Sequence, residues 1–203
     1  MALSPSFAGV ILSAGASSRM GRDKALLPWQ GGTFLSVAIQ ALQRETEFVI
    51  VVAGKNAPSL EPVVYSNAAF LVVNPHPELG QMSSLQCGLE EVLNRGRDAA
   101  LVTLVDRPAP GDETIRQLKS AFLQAGDDIW AAVPEYHGRH GHPILVGREM
   151  IEAFLRAPAT STARDVEHAH QQRILYVAVD DPLIAVNVNT EEDYEKLRLG
   201  LTV

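Results

Sequence analysis

The sequence predicts an α/β fold with a mostly parallel sheet. Apolar runs of strand length recur between segments of helical spacing. The strand-like runs are continuously apolar rather than alternating, as strands covered on both faces are. No linker, repeat or low-complexity stretch divides the 203 residues, so one domain spanning 1–203 is expected.

The elements follow in order. AGVILSA (8–14) is an apolar strand ending in small residues, and TFLSVAIQALQ (33–43) has helical spacing. FVIVVAG (48–54) and AAFLVVN (68–74) are the next strands, closed by Gly54 and Asn74. MSSLQCGLEEVLN (82–94) repeats leucine at 85, 89 and 93, a helical stripe. AALVTLVD (99–106) is a strand and ETIRQLKSAFLQA (113–125) a helix. IWAAVPE (129–135) and HPILV (142–146) are strands, and helices are expected around 148–156 and 162–171. RILYVAV (173–179) and LIAVNVN (183–189) are late strands before a final helix, EEDYEKLRL (191–199). Asn189 and Thr190 stand where they can cap it.

Composition excludes several classes. A net charge of -7 argues against sequence-independent binding of nucleic acid, which needs a basic face. No window approaches the roughly 18 apolar residues of a membrane span, and the N-terminus lacks the basic and apolar regions of a signal peptide. Cys87 is the only cysteine, so no internal disulfide forms, and a cytoplasmic location is expected.

Ligands of parallel sheets gather beyond the carboxyl ends of strands. Four stretches qualify: 13–24, 54–56, 74–84 and 106–108. The first, within LSAGASSRMGRDKALLPWQGG (12–32), is basic in an acidic chain. Gly15 and its small neighbours let backbone N–H groups approach an anion, and Arg19 and Lys24 add charge. The spacing is neither that of a Walker loop nor that of a dinucleotide fingerprint. Asp106, ending LVTLVD opposite this loop, is the hard oxygen ligand that Mg²⁺ would need beside phosphates. In NPHPELGQMSSLQCGLEEV (74–92), Ser83 and Ser84 open a helix; N-capping and contact with a base or ribose both fit that position.

YHGRHGHP (136–143) brings three histidines together, but no cysteine or carboxylate completes a zinc set nearby. Histidines facing solvent or an anionic acceptor are expected there.

The opening loop resembles the signature of the MobA-like nucleotidyltransferases: Leu-Ala-Ala-Gly or Leu-Ala-Gly-Gly, a variable loop, Arg-Met-Gly, and a lysine three residues on. The resemblance covers nearly the whole chain. It implies a single-domain, Rossmann-like fold of the nucleotide-diphospho-sugar transferase type. It also implies transfer of an NMP unit from an NTP to a phosphorylated acceptor, with release of pyrophosphate. By this likeness Gly15, Arg19 and Lys24 would hold the triphosphate, the backbone of Leu12, Ser13 and Ala14 would touch the base, and Asp106 would bind the metal. The family usually has Gln or Met where this chain has Arg107.

The stretch after Asn74 is similar to the molybdenum cofactor cytidylyltransferase branch, which would place Asn74, Gly80 and Ser84 in the nucleotide site, Gln81 interrupting the match. Gly138, Arg139, Gly141, His142 and Pro143 match that branch's Gly-Arg-X-Gly-His-Pro, on the acceptor side of the cleft. A basic loop there would suit a phosphorylated pterin. Arg164 in STARDV (161–166) is a second acceptor-side candidate.

VNVNTEEDY (186–194) has Asn187 and Asn189 where the cytidylyl branch has aspartates, which is closer to the guanylyl branch. An amide oxygen still ligates Mg²⁺, so Asn189 joins Asp106 as a metal candidate. Ala14, the 74–89 stretch and Gly-His-Pro favour CTP; GTP and ATP stay open. The expected acceptor is molybdopterin or molybdenum cofactor, with a molybdoenzyme or cofactor chaperone as protein partner. A sugar-1-phosphate acceptor and a non-catalytic nucleotide or cofactor carrier are the alternatives.

Overall fold

The computed structural model describes residues 5–15, 23–158 and 160–200. The chain starts with β1 (Phe7–Ser13), the two-residue strands β2 (Pro28–Trp29) and β3 (Gly32–Thr33), α1 (Phe34–Gln43) and β4 (Phe48–Ala53). Next come α2 (Ala57–Ser66), β5 (Phe70–Val73), α3 (Gln81–Asn94), β6 (Ala99–Leu104) and α4 (Asp112–Gln124). The last part holds β7 (Ala131–Tyr136), β8 (Arg139–His140), β9 (Ile144–Gly147), α5 (Arg148–Arg156), α6 (Ala163–Ala169), β10 (Ile174–Ala178) and α7 (Glu191–Arg198).

One sheet runs in the order β10-β7-β9-β6-β1-β4-β5, with β8 added to β7. β1 pairs in parallel with β4 and β6, β4 with β5, and β7 with β10. β9 lies antiparallel between β6 and β7, which makes the sheet mixed.

Every residue of β1 is buried because both faces are covered. Phe7 and Ile11 enter one core with Leu35 and Ile39 of α1, Leu60 of α2 and Ile115 of α4. Ala8, Val10 and Leu12 enter the other, with Leu89 of α3, Ile151 of α5 and Val166 of α6. Two-residue periodicity thus sends alternate side chains into two cores. Gly88 lets α3 lie close to the sheet, since a Cβ there would meet Val10 Cγ1 at 2.7 Å and Val52 Cγ2 at 2.9 Å.

Two expectations need correction. α2 is absent from the sequence reading because Pro58 and Pro62 punctuate its pattern, yet Ala57, Leu60 and Val64 line one buried face. The late strand 183–189 does not form. Pro182–Ala185 is a 3-10 turn, and the residues that follow have no ladder. Ile184, Val186 and Val188 are buried alternately, as a strand's would be. The cause is a small separate core in which Val186 and Val188 meet Leu27, Phe34, Tyr194 and Leu197. No helix among the described residues is long and apolar enough to cross a membrane.

Candidate functional site

β1 and β6 are neighbours in the sheet, but the chain leaves β1 for β4 on one side while β6 follows β5 from the far edge. Such a switch point opens a crevice at the carboxyl ends of the two strands. Ala14 and Gly15 follow β1 there, and Asp106 follows β6. The two ends are tied together by Val105 N–H donating to the Leu12 carbonyl at 3.0 Å. Leu12 and Ser13 are themselves buried in the strand, whereas Gly15 is exposed. Arg19 lies outside the described residues.

Lys24 opens a 3-10 turn, Lys24–Leu26, that Asp23 caps through Ala25 N–H at 3.0 Å. Asn56 anchors this turn: its amide donates to Asp23 Oδ2 at 2.7 Å and to the Ser13 carbonyl at 2.9 Å. Its Oδ1 accepts from Gly54 N–H at 3.1 Å. Asn56 therefore joins the ends of β1 and β4 to the lysine turn. The sequence marks 54–56 as a strand end but gives this side chain no role. An Asn two residues after a strand-ending Gly was the available signal.

The turn points Lys24 Nζ at Asp106 Oδ2 and at Asn189 Oδ1, 3.4 Å from each. Both contacts are long for a charge-assisted hydrogen bond. Lys24 and Asp106 are largely shielded, with side-chain exposures of 14% and 26%. Asp106 Oδ1 is enclosed and has no hydrogen-bond partner among the described residues. Val188 N–H donates to the Asp106 carbonyl at 2.9 Å, which fixes the 186–189 segment beside the strand end and brings Asn189 in. Asn187 Oδ1 is likewise enclosed and has no partner among the described residues. Thr190, rather than Asn189, caps α7, through Asp193 N–H at 3.1 Å.

Asn74 follows β5, and its N–H donates to the Ala53 carbonyl at 2.8 Å. Its side chain donates to the hydroxyls of Ser83 and Ser84, at 2.8 and 3.0 Å, and accepts from His76 N–H at 2.9 Å. All three polar side chains are buried. Asn74 and Ser84 thus shape the loop from within. Gly80 has φ +96°, in the left-handed region, and α3 starts with no side-chain cap. The first N–H groups of that helix are the polar groups this loop can offer a ligand.

The three loop histidines diverge. His140 stacks on Tyr176, ring centroids 4.2 Å apart, and its Nε2 lies 3.1 Å from Glu135 Oε2. His137 packs edge-on to Tyr136. His142 turns inward, its Nδ1 enclosed and unpartnered. Burial and the neighbouring Arg107 charge push its pKa down to about 3, against a hydrogen bond with the Val102 backbone. No group of His, Cys, Asp and Glu able to hold a metal ion exists among the described residues. His142 N–H donates to the Ile184 carbonyl at 3.0 Å, so the Pro182–Ala185 turn braces this loop. Arg139 donates to the Ala185 carbonyl at 3.3 Å. Arg164 is exposed on α6, where its charge lowers the Glu167 pKa that burial raises.

Comparison with known proteins identifies relatives of the chain. The pattern of the MobA-like NTP transferase domain matches residues 9–174. A molybdenum cofactor guanylyltransferase of Xanthomonas euvesicatoria pv. vesicatoria is 29% identical, over 97% of each chain. A molybdenum cofactor cytidylyltransferase of Escherichia coli is 25% identical, over 91% of this chain and 92% of its own. The crystal structure of Rv0371c from Mycobacterium tuberculosis has the same fold. Its TM-score is 0.81 at 23% identity, covering 95% of this chain and 97% of that one. That protein has also been solved in complex with manganese, at a TM-score of 0.77 and 22% identity, with the same coverage.

Proposed function

The chain belongs to the MobA-like NTP transferase family, and on that premise we propose that it transfers a nucleotidyl group from CTP to molybdenum cofactor, releasing pyrophosphate. The observation that carries the proposal is the convergence of Lys24, Asp106 and Asn189 at the switch point, with Lys24 Nζ 3.4 Å from Asp106 Oδ2 and 3.4 Å from Asn189 Oδ1. An ammonium between a carboxylate and an amide oxygen, at the end of two parallel strands, suits a polyphosphate with its counter-cation. The acceptor is inferred from the names of the relatives.

A divalent cation fits these residues. Asp106 Oδ1 is an enclosed oxygen lacking a partner among the described residues, and Asn189 offers an amide oxygen on the same lysine that Asp106 Oδ2 meets. Magnesium, or the manganese present in the Mycobacterium tuberculosis structure, would supply charge neutralisation on the phosphate oxygens when bound. In the transfer itself, an oxygen of the acceptor phosphate forms a bond to the α-phosphorus of the NTP. The bond from that phosphorus to the bridging oxygen breaks, and pyrophosphate leaves with its electron pair. Lys24 balances the charge that accumulates on the departing group. Arg19 is assigned the same task from the family pattern. Asn56 and Asp23 hold the lysine turn, so the site is organised before substrate arrives. No general base is required, because a phosphate nucleophile is already ionised at neutral pH.

Ala14 supports CTP, through the family's association of alanine before the glycine with pyrimidine nucleotides. The guanylyltransferase relative, together with Asn187 and Asn189, favours GTP as the second reading. Pyrophosphate release should be measured with CTP, GTP and ATP separately, with Mg²⁺ and molybdenum cofactor. Release with CTP alone supports the proposal, and release with GTP alone replaces it with the second reading. Nucleotide binding without release in any case would favour a carrier.

A further inference from the structure

We infer that Asp181 is a positioning residue for the proposed metal ligands, clamping the loop that carries Asp106 to the segment that carries Asn189. This rests on the transferase reading above. Asp181 is half-buried and precedes the Pro182–Ala185 turn. Its Oδ2 accepts from the Gly111 N–H and from the Thr114 hydroxyl, each at 2.8 Å. Its Oδ1 accepts from the Leu183 N–H at 2.9 Å and so caps the turn. One carboxylate thus joins two stretches of chain 70 residues apart.

Helix capping alone does not account for the bridge. Gly111 stands at the capping position of α4, so no local side chain holds the helix start. Asp112 and Glu113 already place negative charge in the first turn, and a further carboxylate adds little to the helix itself. What Asp181 adds is an attachment. The 186–189 segment has no ladder, so packing and isolated bonds of this kind decide where it lies.

The loop from Asp106 to Gly111 reads Asp-Arg-Pro-Ala-Pro-Gly. Pro108 and Pro110 are both buried and have fixed φ, which makes the loop a strut rather than a hinge. They also lack the N–H groups that a ladder needs. The two stretches are joined at their ends instead: the Val188 N–H on the Asp106 carbonyl at 2.9 Å, and Asp181 on Gly111 and Thr114. Asp106 and Asn189 stand at one end of this closed frame, where Lys24 Nζ meets both, and Asp181 stands at the other. Without the clamp, one hydrogen bond among the described residues connects the two stretches. The spacing of the Asp106 and Asn189 oxygens is then no longer fixed, and divalent affinity depends on how firmly ligands are held.

The test titrates Mn²⁺ calorimetrically into the full chain without nucleotide. Asp181→Ala and Asn189→Ala should each weaken binding roughly 10-fold. Because Asp181 acts by placing Asn189, the double variant should lie within about 2-fold of Asn189→Ala alone. A merely structural loss would add to that of Asn189→Ala. Thr114→Val removes one of the clamp's bonds and should cost about 2- to 3-fold, again only in the presence of Asn189. It carries the test if urea titration shows that Asp181→Ala does not fold. Wild-type Mn²⁺ affinity in whichever single clamp variant folds, losses that add to that of Asn189→Ala, or an Asn189→Ala protein that binds Mn²⁺ like wild type would each overturn the inference. Failure of the wild-type chain to bind Mn²⁺ would instead overturn the metal reading of the crevice, and the inference with it.

Discussion

Lys24 Nζ and Asn189 Oδ1 stand 3.4 Å apart although 165 residues separate them along the chain. Two backbone contacts make this meeting. Asp23 sets the lysine turn, and Val188 N–H, on the Asp106 carbonyl, draws the C-terminal segment to the strand end. The same geometry makes Asp106 the centre of the site, since its Oδ2 faces Lys24 and its Oδ1 has no donor among the described residues. Asp106→Ala removes no short hydrogen bond, so its melting temperature should stay within a few degrees of wild type. Pyrophosphate release should fall by about 100-fold or more. Retained turnover in a folded Asp106→Ala protein would exclude it from the chemistry.

Replacing Asn189 by Asp adds a negative charge beside Lys24. Divalent affinity rises with the number of charged ligands. Asn189→Asp should therefore bind Mn²⁺ more tightly, by about an order of magnitude in calorimetry. An unchanged Mn²⁺ affinity would show that the Asn189 side chain does not face the cation.

The loop built on Asn74 should be fragile. Asn74→Ala leaves the buried Ser84 hydroxyl without its Asn74 partner and removes one bond each from His76 N–H and from Ser83, whose hydroxyl keeps the His76 and Gly80 carbonyls. The expected cost is about 1–3 kcal/mol in urea unfolding, because a buried polar group is orphaned. The KM for nucleotide should rise as well, through a loosened start of α3. A variant with wild-type stability would mean that the loop repacks.

His142 gives stability a pH dependence with a definite sign. Its folded pKa is about 3 and its unfolded value near 6.5. Between these values the unfolded chain binds a proton that the folded chain does not, so stability falls as pH falls through this window. From pH 7 to pH 5 the loss is at most about 2 kcal/mol, since the residue keeps some exposure. His142→Gln should flatten that part of the profile in urea titrations. Parallel profiles for the two proteins would place the acid sensitivity elsewhere.

Gly141 is the contact on which the Pro182–Ala185 turn sits. A Cβ there would meet the Ile184 carbonyl oxygen at 2.1 Å, a backbone atom that cannot swing away. Gly141→Ala should destabilise the protein by about 1–3 kcal/mol and displace the segment that carries Asn189. Full activity and stability in this variant would show that the two loops move independently.

Some of this was legible from residue order. Asp106 and the 13–24 loop stand out because ligand sites follow strand ends, and strand ends are marked by local punctuation. Asn74 stands out too, but its inward orientation does not, because burial of a polar side chain depends on partners nine and ten residues away. The alternation of Ile184, Val186 and Val188 looked like a strand since period two reports which side is buried, not what the backbone pairs with. Asn56 went unassigned because its role lies in bonds to Ser13 and Asp23, 43 and 33 residues away.

By itself the sequence determined the alternation of strands and helices, the two-sided burial of β1 and a cap for α7 at Asn189 or Thr190. Each of these follows from side chains within a few residues of one another. Only the tertiary structure decided that β9 enters antiparallel between β6 and β7, and that Lys24, Asp106 and Asn189 share one crevice. Sheet order and long-range contact are set by which strands pair across the chain, and no local period encodes that pairing.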